Sequence, residues 1–374
     1  MLRNALSCFE AQLVLAHLAD AMPADISYEE VAEAIKERSR STPGTAPSLF
    51  EVLQERHIHL PLSDDVSCVT TSMYGSMTVF LLDIEGTTIP LPFVQQIMMP
   101  LADARIESYV ANHLPADQGF VDLINAAVDP QSSPVAKTLS NSSETLAQTL
   151  AECKARDWKD DAMNEDARKH FCTFFREELS SGSTRTSIKA IQALIWSEVF
   201  AEGKLKSQVF PDVNTFFRHV GTPAMAKRAC IALYSSGSIA SQKLVMGCTQ
   251  YGDLNPFITA YFDPALVGTK LMPKSYMKIR TLMAEKLGIS PDTMQIVFVT
   301  DSTSEASAAK ASGAVGASIL CLRPLNNWIT FETMASIHLP YILSFKQLMQ
   351  RECEVDMAQL VVDTKRCIQE QDLS

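Results

Sequence analysis

An uninterrupted run, Thr78-Val79-Phe80-Leu81-Leu82, leads straight into an acid, Asp83. A strand with one wet face alternates apolar and polar residues; this run does not alternate, so it reads as a strand covered on both faces. Three later runs have the same character: Cys230 to Tyr234, Ile296 to Val299 and Ser318 to Leu322. Between them lie helical patterns, Tyr276 to Leu287 closed by Gly288, and Ser304 to Ser312 closed by Gly313. Buried strands alternating with helices require crossover connections. The predicted fold is therefore α/β, with a doubly wound parallel sheet.

The stretch between the first two strands has almost no strand signal. Phe93 to Asn112, Ser143 to Ala155, Glu165 to Leu179 and Ser187 to Glu202 read as helices. An insertion of that length is expected to be a helical cap domain, placed where it can close over the carboxyl ends of the sheet. The predicted division is a helical N-terminal extension over 1–75, a core from 76–99 and 225–350, a cap over 100–224, and a tail over 351–374. Within the extension, Tyr28 to Arg38 and Ser48 to Arg56 have helical spacing, and the serine-rich stretch 131–143 reads as a mobile loop.

Composition narrows the function. A net charge of -11 argues against a nucleic-acid binder, which needs a basic face for phosphates. An anionic substrate must then be held by a local positive group or a metal. No run of 18 apolar residues occurs, and the polar N-terminal stretch does not read as a signal peptide, so no membrane partner is expected. None of the nine cysteines sits in a C-x-x-C spacing, which points to reduced thiols in a cytoplasmic or nuclear setting.

The chemistry-bearing residues sit at strand ends. Asp83 and Glu85 are two apart, so an extended chain aims both to one side, and Gly86 permits a tight turn that brings Thr87 and the following amides toward a phosphate. Ser235 and Ser236 follow the second strand and precede a helical run from Ile239 to Met246, a place suited to an anion. Lys270 lies in a loop before the Tyr276 helix, and Asp301 ends the third apolar run, with Glu305 four residues on. Each signal alone is weak, since caps and solvated charges account for such residues. Their order is not weak: in a parallel sheet these ends converge, and an acid pair for Mg²⁺, a nucleophilic carboxylate, a lysine and phosphate-gripping hydroxyls make up a phosphoryl-transfer site.

These segments resemble the haloacid dehalogenase superfamily and, within it, the enolase-phosphatase E1 family of methionine salvage. The resemblance rests on Leu82-Asp83-Ile84-Glu85-Gly86-Thr87-Thr88, Tyr234-Ser235-Ser236-Gly237-Ser238, Gly252-Asp253-Leu254, Val267-Gly268-Thr269-Lys270 with Ser275-Tyr276, and Thr300-Asp301 through Glu305. In the cap, Ile195-Trp196 and Pro211-Asp212-Val213 are also similar to the family. The resemblance implies that Asp83 forms an aspartyl-phosphate. It implies one Mg²⁺ per subunit held by Asp83, Asp301 and Glu85, whose backbone carbonyl is a further ligand. Glu85 is then also placed for acid–base work, Lys270, Ser235, Ser236 and Thr87 bind the substrate, and Glu305 orients Lys270 or metal-bound water. The implied substrate is 2,3-diketo-5-methylthiopentyl-1-phosphate, enolised and then dephosphorylated to an acireductone. Phe93, Trp196 and Phe200 are candidate contacts for its methylthio tail, although each reads more simply as cap core.

The chain departs from the family at Ser302, where a small apolar residue is usual, and at Cys248 after Gly247, where histidine is frequent. His57-Ile58-His59 reads as ordinary surface. Three other readings stand beside this one. They are a phosphatase or phosphomutase for another small phosphorylated metabolite, a phosphonatase using Lys204 or Lys206, and an inactive scaffold. A monomer is expected, with the extension as a candidate contact element.

Overall fold

The computed structural model describes residues 77–129, 141–183, 185–203, 205–324, 326, 339–349 and 357–369. The predicted N-terminal helices and His57-Ile58-His59 lie outside these residues, as does the 131–143 loop apart from its last three residues, which open a helix.

Six strands form one sheet: β1 (Met77–Leu82), β2 (Ala229–Tyr234), β3 (Ile258–Phe262), β4 (Met294–Thr300), β5 (Ala317–Cys321) and β6 (Tyr341–Ile342). Their order is β3-β2-β1-β4-β5-β6, and every neighbouring pair is parallel. The chain builds outward from β1 to β2 and β3, then returns to the other side of β1 for β4, β5 and β6. The direction of winding reverses between β1 and β4. In open α/β sheets the crevice outside the carboxyl ends at such a reversal is where ligands bind.

The lack of polar interruptions in β1 follows from cover on both faces. Val79 and Leu81 pack with Ala232, Tyr234, Ile296 and Phe298 under Tyr276, Ile279 and Met283 of helix Pro273–Leu287. On the opposite face Phe80 meets Phe216 of helix Pro211–Val220 edge-on, with ring centroids 5.0 Å apart. Burial on this scale contributes about 1.5–3 kcal/mol per large side chain. Gly288 closes helix Pro273–Leu287 in the left-handed conformation at φ 65°, which its lack of a Cβ permits.

The four predicted strands are present within a residue or two of their expected ends. Two strands were not anticipated. β3 alternates buried and half-buried residues, so it offers no continuous apolar run, and β6 is only two residues long.

Among the described residues, the sheet belongs to one compact unit drawn from within 77–92, 207–236 and 249–369, and a second unit is drawn from within 93–206 and 237–248. The second unit is helical: Met99–His113, Gln118–Val128, Asn141–Ala155, Asp161–Ser180 and Thr186–Ala201 bury Ile106, Phe120, Ile124, Phe171, Phe175 and Ile191 in a common core. Helix Gln118–Val128 escaped the sequence reading because Gly119 sits in its first turn. Its signals were Asp117, whose carboxylate caps the Phe120 N–H at 3.1 Å, and the stripe Phe120, Ile124, Ala127, Val128. The predicted helix from Phe93 is interrupted near its start: a short α turn, Leu91–Phe93, runs into a wide π turn, Val94–Met98, before the long α-helix. Pro100 follows at once, and lacking an N–H it cannot carry the i→i−4 pattern through that turn. Among the described residues no helix is long and apolar enough to cross a membrane.

Candidate active site

Leu82 of β1 lies opposite Val299 of β4, so Asp83 and Thr300 leave the sheet side by side, with Asp83 N–H donating to Val299 O at 2.9 Å. Asp83 is 4% exposed. Its Oδ1 accepts the Ile84 N–H at 2.7 Å and the Lys270 ammonium, while Oδ2 lies 3.3 Å from the Thr300 hydroxyl. Lys270 Nζ also donates to Glu305 Oε2 at 3.1 Å, and Thr300 Oγ1 lies 2.8 Å from the same oxygen. One hydroxyl carries one proton, so the shorter distance makes Glu305 the main acceptor of Thr300.

A loop lysine is ordinarily solvated; this one is fixed because its loop is fixed. The successive carbonyls of Gly268, Thr269 and Lys270 accept from Tyr234 OH at 2.6 Å, Ser275 Oγ at 2.8 Å and Tyr276 OH at 2.7 Å. Gly268 has φ 99°, and a Cβ there would crowd Ser275 Oγ. Burial by itself would depress the Lys270 ammonium, but Asp83 and Glu305 more than reverse this and hold it protonated. The carboxyls of Asp301 and Glu305 are pushed upward, first by burial and then by the charge of Asp83.

The segment after Asp83 is a closed turn. Gly86 takes φ 77°, and a Cβ on it would collide with Asp301 Oδ2, so only glycine lets the turn lie against that carboxylate. The Gly86 N–H is spent on Ile89 O, and those of Thr87 and Thr88 on Ile84 O. The Thr87 hydroxyl is buried and has no hydrogen-bond partner among the described residues. Glu85 is half-buried, and its backbone bridges to Ile89.

Leu82 also pairs with Leu233, so Ser235 emerges just beyond the end of β2; it is buried, Ser236 is exposed, and Ser238 caps the following helix through Ser241 N–H at 3.1 Å. The structure thus brings Lys270 into direct contact with both Asp83 and Glu305, and sets Asp301 against the turn at Gly86. Sequence reasoning missed Thr300 as a partner of Asp83, and it missed Asn326, whose Nδ2 donates to both Asp301 Oδ2 and Gly86 O at 2.9 Å. Arg323, fully buried, was also missed; its Nε donates to Thr87 O at 3.0 Å. The available signal was position, since Asn326 and Arg323 follow directly on β5. In the second unit Phe93, Trp196 and Phe200 are buried, the Trp196 indole donating to Met98 O at 2.8 Å. Lys206 is exposed, and Lys204 lies outside the described residues.

No three His, Cys, Asp or Glu side chains gather into a metal cage among the described residues. Magnesium does not need one, since it takes one or two carboxylates and fills its shell with water and substrate phosphate. Asp83, Asp301 and Glu305 are three buried or half-buried acids facing one ammonium, and that excess of hard oxygen donors fits a divalent cation.

A parallel sheet reversing at β1 and β4, an acid at the end of each, a lysine held between acids and a helical unit inserted after β1 fit the haloacid dehalogenase-type phosphatases that the sequence motifs resemble. No protein-family model matches the chain. An enolase-phosphatase E1 of Drosophila erecta is 32% identical over 278 residues, which is 74% of this chain and 95% of that protein. One from Synechococcus elongatus is 31% identical over 263 residues, covering 70% and 96%. The solved structure of the UTR4 protein of Saccharomyces cerevisiae aligns with a TM-score of 0.47 at 22% identity, over 73% of this chain and 99% of that one. The chain belongs to the enolase-phosphatase E1 family.

Proposed function

We propose that the protein enolises 2,3-diketo-5-methylthiopentyl-1-phosphate and hydrolyses its phosphate to give an acireductone, with Asp83 as covalent nucleophile. The observation that carries this reading is the contact of the buried Lys270 with both Asp83 and Glu305 at the point where the sheet reverses. The family's own name supplies the pairing of enolase and phosphatase steps.

In the phosphatase step the Asp83 carboxylate attacks phosphorus, a P–O bond to carboxylate forms, and the bond to the substrate oxygen breaks. Glu85 protonates the leaving oxygen, then takes a proton from the water that hydrolyses the acyl phosphate, restoring Asp83 and releasing inorganic phosphate. Lys270 holds Asp83 in place and offers positive charge to the phosphoryl oxygens, with the Thr87, Ser235 and Ser236 hydroxyls as further donors. Glu305 and Thr300 keep Lys270 and Asp83 aligned. Asp83, Asp301 and Glu85 would hold Mg²⁺, which supplies the charge neutralisation that lets an anionic nucleophile approach an anionic phosphate. In the enolase step a base removes a proton from the carbon α to a carbonyl, and Glu85 is the candidate on this chain. The enzyme is taken as a cytoplasmic or nuclear monomer acting on a small metabolite.

The test is phosphate release from this diketone beside a panel of sugar phosphates, with and without EDTA, for the wild type and Asp83→Asn. Release selective for the diketone, abolished by EDTA and lowered about 10³-fold or more in the variant, is the expected result. Turnover of another substrate alone would keep the phosphatase and discard the pathway, and no turnover of any would favour a scaffold.

A further inference from the structure

We propose that Asn326 is a positioning residue that orients the Asp301 carboxylate for its cation; the inference rests on the Mg²⁺-dependent reading above. Asn326 is 3% exposed and stands on the segment that follows β5. Its Nδ2 carries two hydrogens and has two acceptors at 2.9 Å, Asp301 Oδ2 and Gly86 O. The Gly86 carbonyl oxygen can only accept, so the amide nitrogen and not its oxygen must point at it, and Asp301 Oδ2 lies on the same nitrogen. Its Oδ1 is buried with no partner among the described residues. A position that needed only filling would be better served by an apolar side chain, because an unsatisfied buried oxygen costs free energy. What the asparagine supplies is the pair of donors.

The support behind it is held by several contacts. Arg323, three residues earlier, donates to Thr87 O, lies over the Phe210 ring at 4.1 Å and the Phe345 ring at 5.2 Å, and pairs with Asp212 Oδ2 at 2.8 Å. That carboxylate oxygen also accepts from Ser344 Oγ at 2.9 Å and Phe345 N at 2.8 Å. One segment therefore grips the adjacent carbonyls of Gly86 and Thr87, and Asn326 extends the grip to Asp301. A carboxylate whose Oδ2 is tied cannot swing about its Cβ–Cγ bond, and a ligand fixed in advance loses less freedom when it takes a cation. Lys270 and Thr300 contact Asp83, whereas Asn326 contacts Asp301.

The experiment is calorimetric titration of Mg²⁺ into the full chain, wild type and Asn326→Ala, with thermal melting and phosphate release on the same preparations. The expected result is an Mg²⁺ dissociation constant weakened about 10- to 100-fold. At saturating Mg²⁺ most of kcat should return, because the chemistry itself is untouched. Asn326→Ser, which keeps a hydroxyl donor, should fall between the two and serves if the alanine variant does not fold. Unchanged Mg²⁺ affinity with only a lower melting temperature would make Asn326 a brace of the fold and overturn the inference. If the wild type itself takes up no Mg²⁺ in the calorimeter, the metal reading fails and this inference with it, and the wild-type trace alone separates that case.

Discussion

Lys270 is held by Asp83 on one side and Glu305 on the other, and that arrangement persists only while it is charged. Lys270→Met keeps the stem and removes the ammonium, leaving the buried Asp83 and the half-buried Glu305 without their counter-ion. Breaking a buried pair from one side typically costs about 3–5 kcal/mol, so urea denaturation should show a loss of that order, and phosphate release should fall by about 10² or more. Thr300→Val is a milder probe of the same cluster: it removes one hydroxyl from between Glu305 and Asp83 at nearly constant volume. A stability loss of about 1–3 kcal/mol in urea melts is expected from the acceptors left behind. A variant as stable as wild type would show that Thr300 contributes packing alone. At this scale Asp83, Asp301, Lys270 and Glu305 were legible, because an acid ending an apolar run is conspicuous and the family motifs carry the lysine. Thr300 was not: a threonine closing a strand reads as ordinary β-propensity until the register places it beside Asp83.

At the level of elements, the helix Pro211–Val220 begins with a residue that does more than favour its dipole. Asp212 in its first turn is buried and anchors Arg323, Ser344 and Phe345, elements far apart in sequence. Burial alone would raise its carboxyl, but the Arg323 guanidinium and the hydrogen bonds from Phe345 and Ser344 hold it below the usual range. A carboxyl depressed in the folded state adds stability above the unfolded pKa of about 3.9, and that stability is lost as pH falls through the still lower folded value. Asp212→Asn should therefore lower the melting temperature at pH 7 and flatten its further decline below about pH 4. Melting curves from pH 7 to 3 read both, and parallel acid limbs in the two proteins would remove Asp212 from the account. The resemblance had marked Pro211-Asp212-Val213, but neither spacing nor composition could assign its partner, since the pair spans 111 positions. Strands with two covered faces announced themselves in the same way that edge strand β3 and the glycine-bearing helix Gln118–Val128 did not. Local pattern reports burial on both sides far better than burial on one.

For the molecule as a whole, the charge balance of the site sets function against stability. The chain carries a net charge of -11, and at the reversal of the sheet Asp83, Asp301 and Glu305 face a single ammonium, Lys270. If all four are ionised, three negative charges against one positive leave two uncompensated in a buried setting. The carboxyl of Asp301 registers this strain as a pKa raised by burial and by Asp83. A carboxyl raised in the folded state subtracts stability as pH climbs above the unfolded value of about 3.9. Asp301→Asn keeps an acceptor for the Asn326 amide and removes one charge. In EDTA at pH 7 it should be more stable than wild type, by about 1–2 kcal/mol, and the advantage should shrink toward zero as the pH is lowered to about 4. Mg²⁺ should reverse the ranking. At a hundred times its dissociation constant it stabilises the wild type by about 2.7 kcal/mol, whereas the variant, short of one ligand, should gain little. Phosphate release should be lost in the variant under both conditions. Thermal melts in EDTA and in Mg²⁺ at two pH values read every term. A variant less stable than wild type in EDTA would mean that hydrogen bonds to Asp301, and not its repulsion from Asp83, dominate the site before the cation arrives.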